Sequence, residues 1–492
     1  MNQIWKKLIS STDYLDETDK ALLKRAFEFS EHCHENQKRK SGEPYINHPL
    51  RVALTLAEIK SDSPSLIAAL LHDVVEESNI SFKEIEKRFG PEIAFLVKGL
   101  TKIRNIEYKG YLKEEKKHLV AQAENFRNMF LALAQDLRIV LIKLADRKDN
   151  LKTLWVLEPE AQLSNALETL EILAPLAYRL GLSRLGAELE DLAFPYAYPQ
   201  EYRELNRLIG RRQEELKNYL EKIAPLLTDA LKKENIHLKE VQYRAKHLYS
   251  IWRKLKKENM DISKVYDLVA IRFIVSNPEE CYLALGAIHR LFKPVPGRIK
   301  DYIANPKPNG YQSLHTTVFG PEGRMIEIQI RDEKMHQEAE WGIASHWYYN
   351  LSKNKKTYQR SKTSAQFVLD KKFMWLKQLQ EWQKEFKKPE DFIEFLKTDL
   401  LKDRIYVLTP KGDVLDLPDG ATPIDFAYQI HTDVGNGAVG AKVNDKLVPL
   451  DYKLKSGDVV NILFKKGKKP SRSWLEFVKM KETKELIKKN LK

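Results

Sequence analysis

From the N-terminus to about residue 195, apolar residues recur at spacings of three and four, with breaks at SGEP (41–44) and FGPE (89–92). This period predicts amphipathic helices joined by turns, and hence an all-helical first domain over 1–195. Residues 200–235 continue as one charged amphipathic helix. The texture then changes. VYDLVAIRFIV (265–275) and RMIEIQI (324–330) are rich in β-branched residues and predict strands set among helices, a mixed α/β domain over 196–350. The polar, basic stretch YNLSKNKKTYQRSKTSA (349–365) has little periodicity and predicts a linker, part of a linker-and-helix segment over 351–402. RIYVLTP, GDVLDLPDG and KSGDVVNILF alternate like strands between Gly and Asp turns, predicting a small β-rich domain over 403–465. Residues 466–492 restart a helical pattern at SWLEFVKM.

Composition narrows the class. The chain has 492 residues, 43% hydrophobic and 31% charged, and is expected to be a globular multidomain protein. No apolar run approaches the roughly 20 residues that span a bilayer, and MNQIWKKLIS lacks the apolar core of an export signal, so no membrane association is expected. Only Cys33 and Cys281 occur, without a CxxC pattern, which excludes a disulfide framework or thiolate zinc site and favours a reducing cytoplasm. The net charge of +14 is uneven: residues 465–492 carry ten Lys and one Arg against three Glu, a composition suited to nucleic acid or to plain solvation.

Chemistry enters at LLHDVVEES (70–78), where His72 and Asp73 interrupt an apolar helical run and Glu76 and Glu77 follow one turn later. Read as one helix, the four share a polar stripe, which by itself is better read as a solvated face. Two other segments shift the balance. Asn47-His48-Pro49 sets a histidine at a helix entrance, and LRIVLIKLADRKDN (137–150) is apolar until Asp146, a carboxylate too costly to bury unless paired or metal-bound. Two imidazoles and two carboxylates form a candidate site for Mn²⁺ or a similar first-row cation.

These residues, with the strings RKSGEPYINHP, LLHDVVEES and KLADRKDN, resemble the HD phosphohydrolase superfamily and, within it, the hydrolase domain of the RelA/SpoT homologue family. The resemblance implies an HD-type fold and removal of the 3′-pyrophosphate from guanosine tetra- or pentaphosphate, (p)ppGpp. It implies Mn²⁺ held by His48, His72, Asp73 and Asp146. Glu76 and Glu77 would position or deprotonate water, and Arg39, Lys40 and Asn150 would hold the nucleotide. The chain departs from the family pattern twice, with Glu76-Glu77 where Glu-Asp is common and Asp149-Asn150 where His-Asn is common.

Downstream, YRAKHLYSIWRKLKKE (243–258) reads as a basic helix with interleaved aromatics. In RMIEIQIR, alternation turns Ile326, Ile328 and Ile330 to a core and Glu327, Gln329 and Arg331 to a cleft or water. Asp267 opens the other strand, near a sheet edge, and two carboxylates beside several cations suit a Mg²⁺–nucleotide site. The Asn309-Gly310 turn presents Tyr311, which suits either a purine stack or a buried ring. Together these strings resemble the RelA/SpoT synthetase domain, a nucleotidyltransferase-like α/β fold. That resemblance implies pyrophosphate transfer from ATP to the 3′-hydroxyl of GDP or GTP, releasing AMP. Asp267 would bind Mg²⁺, Glu327 activate the hydroxyl, Arg244 and Lys246 grip ATP, and Tyr311 stack on guanine. Ser250, Lys254, Lys300, Lys307, His315 and Gln329 would complete the nucleotide contacts. Arg298-Ile299-Lys300-Asp301 resembles the basic loop of bifunctional members and favours GDP.

Residues 403–465 resemble the β-grasp TGS domain of the same family, in which His431 would meet the 3′ end of uncharged tRNA, with the ribosome as a further partner. Three readings stay open: a bifunctional enzyme, a hydrolase-dominant member with a silent synthetase, and a tRNA- or ribosome-binding module with decayed catalytic domains. If both reactions run, they are expected to alternate, with the helices at about 151–235 transmitting the choice.

Overall fold

Helix starts along the first third follow local side-chain chemistry. Asp16, Asp62, Ser81 and Asp136 each accept a backbone N–H of the turn they open. In a computed structural model, which describes residues 2–104, 135–257, 260, 268–307, 309–342, 404–465 and 467–491, these starts organise a helical array. It runs α1 (Gln3–Ser11), α2 (Glu17–Cys33), α3 (Asn47–Glu58), α4 (Ser63–Leu71), α5 (Val74–Glu77), α6 (Phe82–Phe89) and α7 (Pro91–Arg104). It continues with α8 (Leu137–Lys152), α9 (Pro159–Glu168), α10 (Ala174–Arg179), α11 (Ser183–Ala197) and the long α12 (Pro199–Lys233). The chain divides into two units, Met1–Trp382 and Gln383–Lys492.

The central helix is α8. Its apolar run leaves no solvent face, so even Arg138, Lys143, Asp146, Arg147 and Asp149 are buried. Such charges need partners, and Arg138 finds them in Asp62, Glu92 and Asp136, while Arg147 bonds Glu168. LLHDVVEES is not one helix, contrary to the sequence expectation. The buried α4 ends at Leu71, and α5 restarts at Val74 with Asp73 O accepting Glu77 N at 2.9 Å. The His-Asp pair therefore occupies the break, where neither side chain is bound to a helical stripe.

The second half of this unit is a five-stranded sheet of order β1-β2-β5-β4-β3: β1 (Leu238–Ala245), β2 (Val269–Val275), β3 (Lys300–Asp301), β4 (Leu314–Phe319) and β5 (Met325–Asp332). Only the β2–β5 pair is parallel. Ile326, Ile328, Ile330, Ile271, Phe273 and Leu314 share one buried cluster with α12 and α14 (Pro278–Leu291). The segment YRAKHLYSIWRKLKKE is also not one helix. Arg244 lies in β1 opposite Ala270, Lys246 extends that pairing through its N–H to Leu268 O, and α13 begins only at Leu248. The strand wins because Val241 and Tyr243 pack on the sheet core. Helix α15 (Glu333–Trp341) follows β5. Asp267, residues 343–350 and the expected linker over 351–402 lie outside the described residues. β2 itself runs inside the sheet, between β1 and β5.

The second unit pairs the hairpin β6 (Arg404–Leu408) and β7 (Val414–Pro418) with a sheet of order β10-β8-β9. Its strands are β8 (Ala438–Val443), β9 (Lys446–Val448) and β10 (Val460–Phe464). Helices α16 (Pro423–Ile430) and α17 (Thr432–Asn436) lie between the two groups in sequence. SWLEFVKM, expected to be helical, forms only a short 3₁₀ turn at Arg472–Glu476 before α18 (Lys481–Asn490). Its apolar residues explain this: Trp474, Val478 and Met480 point into the same core as Ile424 and Phe426. Among the described residues no helix is long and apolar enough to cross a membrane.

Candidate functional sites

The break after α4 turns His72 and Asp73 toward α3 and α8. His72 Nδ1 meets Ala69 O at 2.8 Å, which leaves Nε2 facing inward. His48, in the first turn of α3, brings Nε2 to 3.2 Å from Asp146 Oδ1 and 3.6 Å from Asp73 Oδ2. One ligand atom from each of His48, His72 and Asp146 falls within a 4.8 Å cluster. His72 Nε2 is buried without a hydrogen-bond partner, 3.2 Å from Asp73 Oδ1. An orphaned imidazole nitrogen among carboxylate oxygens is the donor set that a divalent cation satisfies, so these residues fit a metal.

The electrostatics agree. Burial opposes charge on His48, but hydrogen bonds to Asp146 and Asp149 and the Asp73 charge outweigh it and push the imidazole up to about 9. Burial pushes His72 down. For Asp146 burial acts upward, yet Lys143, His48 and His72 hold the carboxyl well below its ordinary range. The cluster thus keeps one proton on His48, which a cation would displace.

Around it, Tyr45 Oη donates to Asp73 Oδ2 at 2.9 Å, and Asn150 Nδ2 donates to Asp146 Oδ1 at 2.6 Å. Arg39 is drawn inward, to Asp149 at 3.1 Å and to Asn150 Oδ1. Lys40 is exposed, as is Glu77, while Glu76 is half-buried on α5.

The second site lies on the sheet face opposite the isoleucines. Register puts Gln242, Arg272, Gln329, His315 and Lys300 in one row across all five strands. Glu327 sits in the next row and accepts from Gln329 Nε2 at 3.1 Å, with His315 Nδ1 3.7 Å away. Tyr311 Oη lies 2.8 Å from His315 Nε2, and Lys307 Nζ stands 4.7 Å above the Tyr302 ring and 5.1 Å above that of Tyr311. Burial, then Lys300 and Arg244, pull Lys307 down to about 8. Burial, then Lys307, Lys300 and Arg244, pull His315 down to about 3, so its ring is neutral near pH 7. A face with more cations than its acids can neutralise suits a polyanion.

Ser250, Arg253 and Lys254 lie on α13, whose contacts run back to α11 of the helical array. Glu190 accepts from Arg253 Nη1 at 3.3 Å and Ser250 Oγ at 3.5 Å. Lys246, in the connection before α13, accepts at its carbonyl from Gln213. In the second unit, exposed His431 ends α16 and caps α17, its Nδ1 accepting Asp433 N at 3.2 Å.

Three family models match this chain. They are an HD domain over residues 26–183, a region found in RelA / SpoT proteins over 243–354, and a TGS domain over 405–464. The GTP pyrophosphokinase of Myxococcus xanthus is 46% identical over 476 residues, covering 97% of this chain and 61% of that protein. The guanosine-3′,5′-bis(diphosphate) 3′-pyrophosphohydrolase of Aquifex aeolicus (strain VF5) is 47% identical, covering 96% and 64%. The bifunctional (p)ppGpp synthase/hydrolase SpoT of Escherichia coli (strain K12) is 43% identical, covering 97% and 66%.

The chain belongs to the RelA/SpoT homologue family. It spans less than two thirds of the length of these relatives. Of solved structures, the small alarmone synthetase 2 from Bacillus subtilis is 22% identical and covers 38% of this chain and 93% of its own, with a TM-score of 0.25, a likeness that adds nothing to the fold described above. HD-domain hydrolases use divalent metals, in keeping with the donor set of His48, His72 and Asp146.

For a RelA/SpoT homologue, the sequence reading passed over several residues that the sheet face brings forward. Arg272 bonds Gln329 Oε1 at 3.2 Å and Gln242 Oε1 at 3.0 Å, and Glu340 of α15 pairs with both Arg272 and Arg331. Arg331 is fully buried. Beside the metal cluster Arg51 was passed over, and Asp149 was noted only as a departure from the family pattern.

Proposed function

We propose that this chain is a bifunctional alarmone enzyme. It transfers pyrophosphate from ATP to the 3′-hydroxyl of GDP or GTP, releasing AMP, and hydrolyses (p)ppGpp to GDP or GTP and pyrophosphate. The observation that carries this reading is the coexistence, in one chain, of a buried His/His/Asp cluster and a cation-rich sheet face holding a carboxylate at Glu327. Relatives named for each reaction, and one named for both, support it.

In the hydrolase, His48, His72, Asp73 and Asp146 hold the cation, Mn²⁺ on this reading. Bound there, it supplies Lewis acidity toward water and phosphate. Glu76 and Glu77 orient the attacking water and take its proton. Lys40 meets the polyphosphate from the rim, and Arg39 and Asn150 shape the wall against the nucleotide. In the synthetase, Glu327 takes the proton of the ribose hydroxyl, steadied by the Gln329 amide. Arg244, Lys246, Ser250 and Lys254 hold the ATP phosphates, Lys300 and Lys307 the acceptor's, and Tyr311 lies against guanine beside neutral His315. Catalysis here is mainly placement and charge neutralisation, because phosphoryl-type transfer spreads charge over several oxygens. Asp267 is assigned to Mg²⁺, and His431 to contact with the 3′ end of uncharged tRNA, with the ribosome as a further partner. The domain limits proposed are 1–195, 196–350, a linker and helix over 351–402, 403–465, and a basic segment over 466–492, in a cytoplasmic protein.

The test is a paired assay of the purified chain: ATP and GDP with Mg²⁺, and separately guanosine tetraphosphate with Mn²⁺. Asp73→Ala is expected to abolish only hydrolysis, and Glu327→Ala only synthesis. Loss of both activities from either substitution would sink the two-site reading.

A further inference from the structure

The acid that departs from the family pattern, Asp149, is not a surface change. It is buried one helical turn beyond Asp146 on α8, and its Oδ2 lies 2.8 Å from His48 Nδ1. That is the nitrogen opposite the one facing Asp146 and Asp73. A carboxylate at Nδ1 accepts Nδ1–H, which leaves the Nε2 lone pair aimed into the cluster and makes it more basic.

Asp149 is itself held. Arg51 Nε donates to its Oδ1 at 2.6 Å and Arg51 Nη2 to its Oδ2 at 3.1 Å. Glu43 takes the other edge of the Arg51 guanidinium at 2.7 and 2.6 Å, and Arg39 Nη1 reaches Asp149 Oδ2 at 3.1 Å. The chain Glu43, Arg51, Asp149, His48 thus runs from the half-buried SGEP turn to the cluster, and every member has its partner's geometry fixed. A planar guanidinium gripping two carboxylates edge-on removes the rotational freedom that either acid would otherwise have.

We propose that Asp149 is a positioning residue of the metal centre: through Nδ1 it sets the tautomer and direction of His48 and raises this chain's affinity for the divalent cation. This rests on the hydrolase reading above and adds to it a residue that touches neither cation nor nucleotide.

The test is Mn²⁺ binding by the 492-residue chain, read as the loss of the free-ion electron paramagnetic resonance signal, without nucleotide. The wild type is expected to bind Mn²⁺ at a site lost in His48→Ala. Asp149→Asn, folded by circular dichroism, is expected to bind about 10- to 100-fold more weakly. A purely structural role would lower the unfolding temperature in EDTA and leave Mn²⁺ affinity within twofold of wild type, and that result overturns the proposal. If Asp149→Asn fails to fold, Arg51→Lys keeps the positive charge and loses the two-pronged grip. A several-fold weaker Mn²⁺ affinity is then expected, and a wild-type value overturns the proposal. Absence of His48-dependent Mn²⁺ binding in the wild type would instead strike at the hydrolase reading itself.

Discussion

Lys307 shows how one residue on the sheet face is tuned. It stands over two tyrosine rings with Lys300 and Arg244 nearby, and its ammonium is pulled down to about 8 by burial first and by those cations second. The sign follows directly. A lysine whose folded value lies below its ordinary 10.5 disfavours folding while charged, so its cost is full below about pH 8 and gone above 10.5. An anionic ligand reverses the preference. GDP affinity is therefore expected to fall about tenfold between pH 7 and 9, with proton uptake on binding at pH 8 visible by calorimetry in buffers of different ionisation heat. Lys307→Met should flatten that pH dependence, and an unchanged slope would remove Lys307 from the site. The grouping of His48, His72 and Asp146 was legible because such residue types are rare in apolar helices. Arg272 left a signal too, a lone arginine inside VAIRFIV, since a buried guanidinium requires a partner. Its acidic partner, Glu340, is 68 residues away, and no local pattern joins the two.

At the scale of elements, hydrophobic period marked the helical first part, the long helix over 200–235 and the strands β2, β5, β6, β7 and β10, but not β1, β4 or β8, nor where the elements stop. LLHDVVEES keeps helical spacing through a break, because the break is made by His72 and Asp73 facing a cluster assembled from α3 and α8. YRAKHLYSIWRKLKKE looks helical throughout, yet hydrogen bonding to β2 claims its first residues. In the second unit, SWLEFVKM yields to Asp425, a buried carboxylate that closes the capping box of α16 with Thr422. It also accepts the N–H groups of Lys479 at 3.1 Å and Met480 at 2.9 Å. One acid thus pins a segment 54 residues downstream in sequence. Asp425→Ala would leave those donors buried and unpaired, at about 1–3 kcal/mol each. Hydrogen exchange should then show residues 470–490 losing protection ahead of β8 and β10. Uniform loss across the unit would mean that Asp425 stabilises the whole fold and has no special hold on this segment.

Across the first unit, the two proposed sites are joined by packed helices. α8, which carries Asp146, packs on α11, and α11 packs on α13. At that second contact the neighbouring acids Glu190 and Asp191 act together. Glu190, 1% exposed, accepts from Tyr178 Oη at 2.9 Å as well as from Arg253 and Ser250. Asp191 accepts Tyr249 N at 3.0 Å and meets His247 Nδ1 at 2.8 Å. The same stretch touches the far side of the sheet face. Tyr178 O accepts from Asn309, in the turn that presents Tyr311, and a Cβ on Gly342, just past α15, would come within 2.9 Å of backbone at Leu180, Gly181 and Leu182. Two opposing reactions in one chain cycle ATP without net product unless one is restrained, and this junction is the packed path between the two proposed sites. With a non-hydrolysable alarmone analogue and Mn²⁺ in the hydrolase site, synthesis from ATP and GDP should slow in the wild type. Glu190→Gln removes a charged acceptor worth about 1.5–3 kcal/mol to its donors and should shrink that inhibition several-fold. Linkage makes the coupling of binding reciprocal, so the factor by which the alarmone analogue weakens binding of ATP and GDP analogues should equal the factor by which they weaken its own binding, in each protein. Equal inhibition in Glu190→Gln and wild type would show that α11 holds α13 in place without carrying the signal.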